Sequence, residues 1–161
     1  MVNKKIDISS LELEESIVSI SRVSKTVKGG KNFKLRVIAV VGDRNGHIGI
    51  GLGKAKERMD ATRKAIEDAR KNIIEVNVVN DTIPHEILGR YSASKVLMKP
   101  ASKGTGVIAN TRIKPLLELA GIENILTKSL GSNTDVNLIK ATFEGLKGLR
   151  KKEDVLRILN S

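Results

Sequence analysis

The chain of 161 residues has no cysteine, no tryptophan, one tyrosine, two phenylalanines and three prolines. Without cysteine there is no disulfide framework, no thiolate zinc site and no thiol nucleophile. Aromatics make up only 2% of residues. The core is therefore aliphatic, and stacking of bases on aromatic platforms is at most a minor binding mode. No apolar run approaches the roughly 20 residues a membrane span needs. The N-terminal stretch to Val18 carries acids early and no unbroken apolar segment, which is not a signal-peptide pattern. A soluble, cytoplasmic protein is expected.

Positive charge is what the chain has in excess. It holds 29 Lys and Arg against 18 Asp and Glu, a net charge of +11. Charge of that size speaks about partners rather than fold, and nucleic acid is the foremost polyanion. A membrane surface is the competing target. The basic helix expected near Lys54 carries mostly alanine on its apolar stripe, too little for strong insertion.

Four segments are expected: a flexible tail over 1–10, a β-β-β-α unit over 11–74, a second α/β unit over 75–150, and a helical tail over 151–161. Ser16 to Val27 alternates as a strand, and Gly29-Gly30 forces a turn. Asn32 to Val41 is β-branched and suits a central strand. Asp43-Arg44-Asn45-Gly46 predicts a type I′ hairpin turn. In the return strand His47 to Leu52, glycines 49, 51 and 53 alternate with Ile48, Ile50 and Leu52, so one face is bare and invites another backbone; of a purely structural strand and a phosphate-approach surface, the flanking cations favour the second. Lys54 to Ile73 reads as an amphipathic helix covering a three-stranded sheet.

In the second unit, strands are expected from Glu75 to Pro84 and on both sides of a Gly89-Arg90-Tyr91 turn. A helix is expected over Thr111 to Ala120, capped by Asn110 or Thr111 and stopped by Gly121. A short strand follows over Ile122 to Leu130. A helix from Val136 to Arg150 turns Leu138 or Ile139, Ala141 or Thr142, Phe143, Leu146 and Leu149 inward. The last segment reads as a short, docked helix.

Three basic clusters stand out. The first surrounds the Gly29-Gly30 turn: Arg22, Lys25, Thr26, Lys28, Lys31 and Asn32, with Lys34 beside them. The second is Arg44 with Asn45. The third is Gly53, Lys54 and Lys56 at the expected helix start, with Arg63 and Lys64 on the helix face. A helix N-terminus at Gly53-Lys54 would favour an anion. Together they fit a surface that tracks the backbone of duplex RNA, which is read by shape and phosphate with few aromatics. The Gly49-x-Gly51-x-Gly53-Lys54 run is no nucleotide loop: Ile48 and Ala55 stand where a P-loop needs Gly and Ser or Thr, and Lys54 where a dinucleotide fingerprint needs Gly. His47 and His85 lie in different units, so no metal is expected. No cofactor is expected either. The Gly104-Thr105-Gly106 loop could hold a phosphate, as a phosphoryl-transfer enzyme would require, but reads equally as a plain turn, and no acid pair accompanies it.

The motifs VSKTVKGG, VVGD-x-NG, GxGxGKA, the Lys103-Gly104-Thr105-Gly106 loop, ELAGI and GSNT follow in order. In that combination the chain resembles the bacterial small-subunit ribosomal protein five family, over roughly Leu11 to Ile158. The resemblance implies an α+β protein: an N-terminal three-stranded sheet with one helix, like a double-stranded-RNA-binding domain, and a C-terminal βαβ-containing α/β sandwich domain. It implies no enzyme activity and no small-molecule substrate. The implied partners are 16S rRNA and ribosomal proteins four and eight, with the path of incoming mRNA nearby and a role in decoding accuracy. The hairpin Val23 to Phe33 would reach toward the head–body neck of the small subunit. Lys103, Gly104, Thr105, Gly106 and Arg112 would touch a neighbouring protein, protein four at the Gly104 loop. Leu35 and Leu52 stand where the family often has aromatics, and Asn110-Thr111 where it usually has Gly-Gly. A free double-stranded-RNA regulator or RNA chaperone is the alternative.

Overall fold

The computed structural model describes residues 8–161. Most of the tail expected over 1–10 lies outside the described residues, and Ile8–Ser10 forms a single 3-10 turn. The architecture is mixed α+β, with two four-stranded sheets and four helices among the described residues.

The first sheet is antiparallel throughout, in the order β1 (Glu14–Val27), β2 (Gly30–Gly42), β3 (His47–Ala55), β4 (Ile73–Glu75). Four strands replace the three expected. Helix α1 spans Arg58–Lys71 and ends at Asn72, after which β-branched Ile73 and Ile74 pair with the edge of β3. The strand expected to run on to Pro84 does not form. Asn80 and Asp81 adopt positive φ, and Val79 bridges Thr82 around them as a tight turn, a conformation short polar side chains tolerate.

The bare glycine face is not open to phosphate, as the flanking cations suggest; it is filled by another backbone, that of α1. A Cβ on Gly49, Gly51 or Gly53 would fall well inside 3.0 Å of the carbonyl oxygens of Ala69, Ala65 and Ala61 respectively. These alanines recur every four residues and are fully buried. The helix thus sits almost backbone to backbone on β3. It begins at Arg58 rather than Lys54, because Lys54 and Ala55 continue the ladder opposite Arg36 and Leu35.

The second sheet has the order β5 (Ile87–Tyr91), β6 (Ser94–Pro100), β8 (Ile125–Ser129), β7 (Val107–Ile108). Strands β7 and β8 pair in parallel across helix α2 (Lys114–Leu119), a βαβ unit. The β5–β6 turn falls at Ser92-Ala93, past the expected Gly-Arg-Tyr, with Ser92 at positive φ. Ile113 precedes α2 in place of the expected Asn110 or Thr111 cap; Asn110 instead accepts the Arg112 N–H in its own turn. Helix α3 (Asp135–Lys147) buries every residue expected inward, from Leu138 to Leu146, with Leu149 just beyond. Helix α4 (Lys152–Leu159) has no buried residue, so it is not docked against the described chain.

One core joins the two sheets. Ile38, Val40 and Ile48 of the first belong to the same buried cluster as Met98, Leu116, Leu117, Ile125, Ile139 and Leu146. The turn between β2 and β3 locks the halves together. Arg44 and Gly46 donate their N–H groups to the carbonyls of Leu119 and Ala120, at 2.9 and 3.1 Å. These are carbonyls that the end of α2 leaves without helical partners.

Candidate nucleic-acid interface

The β1–β2 hairpin runs past the cover of α1. All its residues from Ser24 to Lys34 are exposed, and its two-residue tip Lys28-Gly29 closes between Val27 and Gly30. Gly29 and Gly30 have positive φ, and nothing lies within 4 Å of where their Cβ atoms would be. The tip stands free of the rest of the molecule.

Register and alternation sort the hairpin's cations by face. Lys25 lies opposite Asn32, Val23 opposite Lys34, Ser21 opposite Arg36, and Arg36 opposite Lys54. One face therefore carries Lys25, Asn32, Lys34, Arg36 and Lys54. The other carries Arg22, Thr26, Lys31 and Phe33, with the Arg22 guanidinium 4.0 Å from the Phe33 ring centre. Among the described residues, Lys25, Lys28, Lys31, Lys34 and Lys54 make no ion pair with an acid; the pairs formed lie elsewhere. Arg36 sits directly across from Lys54, a like-charge pairing that weakens a sheet, and its buried Nε has no hydrogen-bond partner.

The other expected clusters separate from this arm. Gly53 is buried beneath α1, and no helix begins at Lys54, so the expected anion site at a helix N-terminus is absent. Lys54 and Lys56 are exposed at the arm's end of the sheet. Arg44 and Asn45 occupy the opposite end of β2, about 40 Å away for 13 residues at strand rise. Arg44 is also occupied: its Nε and Nη2 donate to the two carboxylate oxygens of Glu14, both at 2.9 Å. That pairing lowers the Glu14 pKa and raises the Arg44 pKa. On α1, Arg63 reaches Asp60 and Glu67, at 3.9 and 3.5 Å, while Lys64 has no acidic partner among the described residues.

Asp43 organises the far turn. Burial alone would raise its pKa, but the N–H groups of Asn45 and His47 and the His47 ring outweigh that and hold the carboxyl below its ordinary value. Asp43 Oδ1 accepts both N–H groups, at 2.8 and 3.1 Å, and Oδ2 meets His47 Nδ1 at 2.7 Å. A carboxylate with a depressed folded-state pKa stabilises the fold above its unfolded value of about 3.9. That stability is lost as pH falls through the folded value. Asp43→Asn is expected to lower the thermal midpoint by about 3–6 °C near neutrality. The gap from the parent should begin to narrow below about pH 4 and close as pH falls through the lower folded value, as followed by thermal unfolding across the acid range.

The Lys103–Gly106 loop joins β6 to β7 with Lys103 and Gly104 exposed. Gly104 and Gly106 both have positive φ, and both donate their N–H groups at 3.1 Å to Oδ1 of the buried Asn124. Thr105 turns back onto the Ser102 carbonyl. Arg112 pairs instead with Asp135 at 2.5 Å, and Asp135 accepts the Ser19 hydroxyl at 2.7 Å, tying α3 to β1.

Two residues belong to these surfaces that motif reading passes over. Arg36 was visible in the period-two series Asn32, Lys34, Arg36. Asn124 had no local signal, since it acts on a loop about twenty residues earlier in the chain.

The model for the ribosomal protein S5 N-terminal domain matches residues 13–77, and that for the S5 C-terminal domain matches 89–158. The small ribosomal subunit proteins uS5 of Thermotoga neapolitana and Thermotoga maritima are each 54% identical over 152 residues. That of Thermotoga petrophila is 55% identical. Each alignment spans 94% of this chain and 85% of the relative. The chain belongs to the ribosomal protein S5 family. In this S5 chain the N-terminal match ends just after β4, so the added fourth strand lies within the matched domain. The C-terminal match begins inside β5 and ends in the last turn of α4.

Proposed function

We infer that this chain holds 16S rRNA through its β1–β2 arm and so fixes its place in the small ribosomal subunit. It is a structural constituent of that subunit, it is not an enzyme, and as part of the ribosome it is cytoplasmic. The observation that carries the arm assignment is the set of lysines at 25, 28, 31 and 34 on both faces and the tip of the arm, exposed and, among the described residues, without acidic partners. Lys54 and Lys56 add charge at the arm's base, and Arg22, Thr26 and Asn32 lie along its two faces. The glycine pair at 29 and 30 gives the tip its turn and an open backbone.

We assign residues 11–74 as the RNA-binding part, similar to a double-stranded-RNA-binding domain in having strands covered by one helix. Residues 75–150 carry the protein contacts, and 151–161 form a free helical tail. The Lys103–Gly106 loop, shaped by Asn124, is suited to ribosomal protein four, with protein eight as a further neighbour. Arg44 and Asn45 are left out of the RNA face because they sit at the far end of the sheet.

Sedimentation of cell extract tests the reading. The protein is expected in the small-subunit fractions at low salt. If it remained among light fractions while intact ribosomes sedimented normally, a free RNA regulator would replace this assignment.

A further inference from the structure

The second sheet has a bare side. Gly89, Val96 and Met98 are buried on the side facing α3; a Cβ on Gly89 would strike the Ala141 carbonyl. Residues alternating with them point away from the helices. Register then sets Arg90 opposite Lys95, and Leu88, Leu97 and Lys128 in one row across three strands. Lys99 stands beside Leu126, with Ile108 beyond it. Arg90, Lys95, Lys99 and Lys128 are all exposed. Leu126 and Ile108 are 41% and 52% exposed.

The charges on this side are balanced in one place and not in another. Lys99 has Glu86 at 3.9 Å. Arg90 and Lys95, directly cross-strand from one another, have no acid, and neither does Lys128, among the described residues. Like charges facing each other across a ladder destabilise it. An external anion would neutralise them, and a chain of net charge +11 within an RNA-rich particle meets phosphate before any other. No aromatic side chain lies on this side to stack a base, so contact would run along the phosphodiester backbone.

We propose that the helix-free side of the second sheet, through Arg90, Lys95 and Lys128, is a second rRNA contact, separate from the β1–β2 arm. This rests on the reading of the chain as an rRNA-binding protein. The arm and this face act as two independent phosphate-binding surfaces.

The test uses the full chain and a 16S rRNA transcript, with affinity measured over a range of salt. The triple variant Arg90→Ala, Lys95→Ala, Lys128→Ala is expected to flatten the log–log salt slope by about 2 to 3, since each phosphate contact contributes roughly 0.7 to 0.9. Added to the Lys28→Ala, Lys31→Ala variant, the losses in slope should sum. Lys95→Glu, which gives Arg90 an opposite charge, is expected to hold or raise the thermal midpoint while weakening RNA binding, so loss of binding cannot be ascribed to unfolding. An unchanged slope in the triple variant, with the parent still binding steeply, overturns the proposal and leaves the face to an acidic protein. A parent that does not bind the transcript at all overturns the rRNA-binding reading itself.

Discussion

Gly51→Ala is expected to lower the thermal midpoint by about 6–12 °C, among the largest effects of a single methyl group added to this chain. A Cβ at Gly51 would lie far inside 3.0 Å of the Ala65 carbonyl oxygen and of Ala69 backbone atoms. Those atoms belong to the main chain of α1, so no side-chain rotation relieves the overlap. The helix must lift off β3, or the strand must bend away from it. Overpacking of this kind costs about 3 kcal/mol or more, and for a chain of this size 1 kcal/mol moves the midpoint by about 2–4 °C. Ala65→Gly added to the same variant should not restore stability, because the obstruction is backbone. Gly104→Ala serves as the comparison. Its φ of 93° disfavours alanine, but nothing lies within 4 Å of the new methyl, so only backbone strain of about 1–2 kcal/mol applies. A Gly51→Ala protein that melts within a degree or two of the parent would mean that α1 is not seated on the glycines.

Replacing Lys25, Lys28, Lys31 and Lys34 together with alanine is expected to flatten the salt dependence of 16S rRNA affinity by about 3, close to one phosphate contact for each lysine. The same variant should melt within about 0.5 kcal/mol of the parent, as surface changes away from packing features do. Separating the two measurements matters, because a fold defect would also weaken RNA binding. Arg44→Ala provides the internal control. It removes a cation too, yet one already paired to Glu14 at the other end of β2, and it should leave the slope as it was. A four-lysine variant with the parent's slope would take the arm out of the RNA surface; a flattened slope in Arg44→Ala would bring the far turn back in.

The arm was legible in the chain because its determinants are local. Two adjacent glycines fix the turn, alternation fixes the faces, and lysines every three residues announce the charge. The glycine strand was legible only halfway. Its bare face predicted a close approach, but whether phosphate or protein backbone filled it depended on α1, whose alanines at 61, 65 and 69 are the matching half of the contact. The spacing of those alanines was present in the sequence, but pairing it with the glycines required the helix to begin three residues after β3. The hairpin turn at Asp43–Gly46 was recognised, but it is not the expected type I′ turn, since Arg44 and Gly46 rather than Asn45 take positive φ; its role was not legible either. Its N–H groups find their partners at Leu119 and Ala120, some seventy-five residues later, and no local pattern reports a bond of that range. Strand β4 was missed for a related reason: three residues are too few to show alternation, and only the open edge of β3 makes them a strand.

The latch between the β2–β3 turn and α2 also sets an order of events during synthesis. At about 5–20 residues per second, the ribosome needs several seconds between extruding Arg44 and extruding the carbonyls that hold it. In that interval Ile38, Val40 and Ile48, whose cover comes from the C-terminal half, face outward on a nascent strand pair beside an exposed lysine arm. The exposed lysines of the arm keep such half-made chains apart by repulsion, so the same cations proposed to hold rRNA in the finished particle would delay self-association before the core can close.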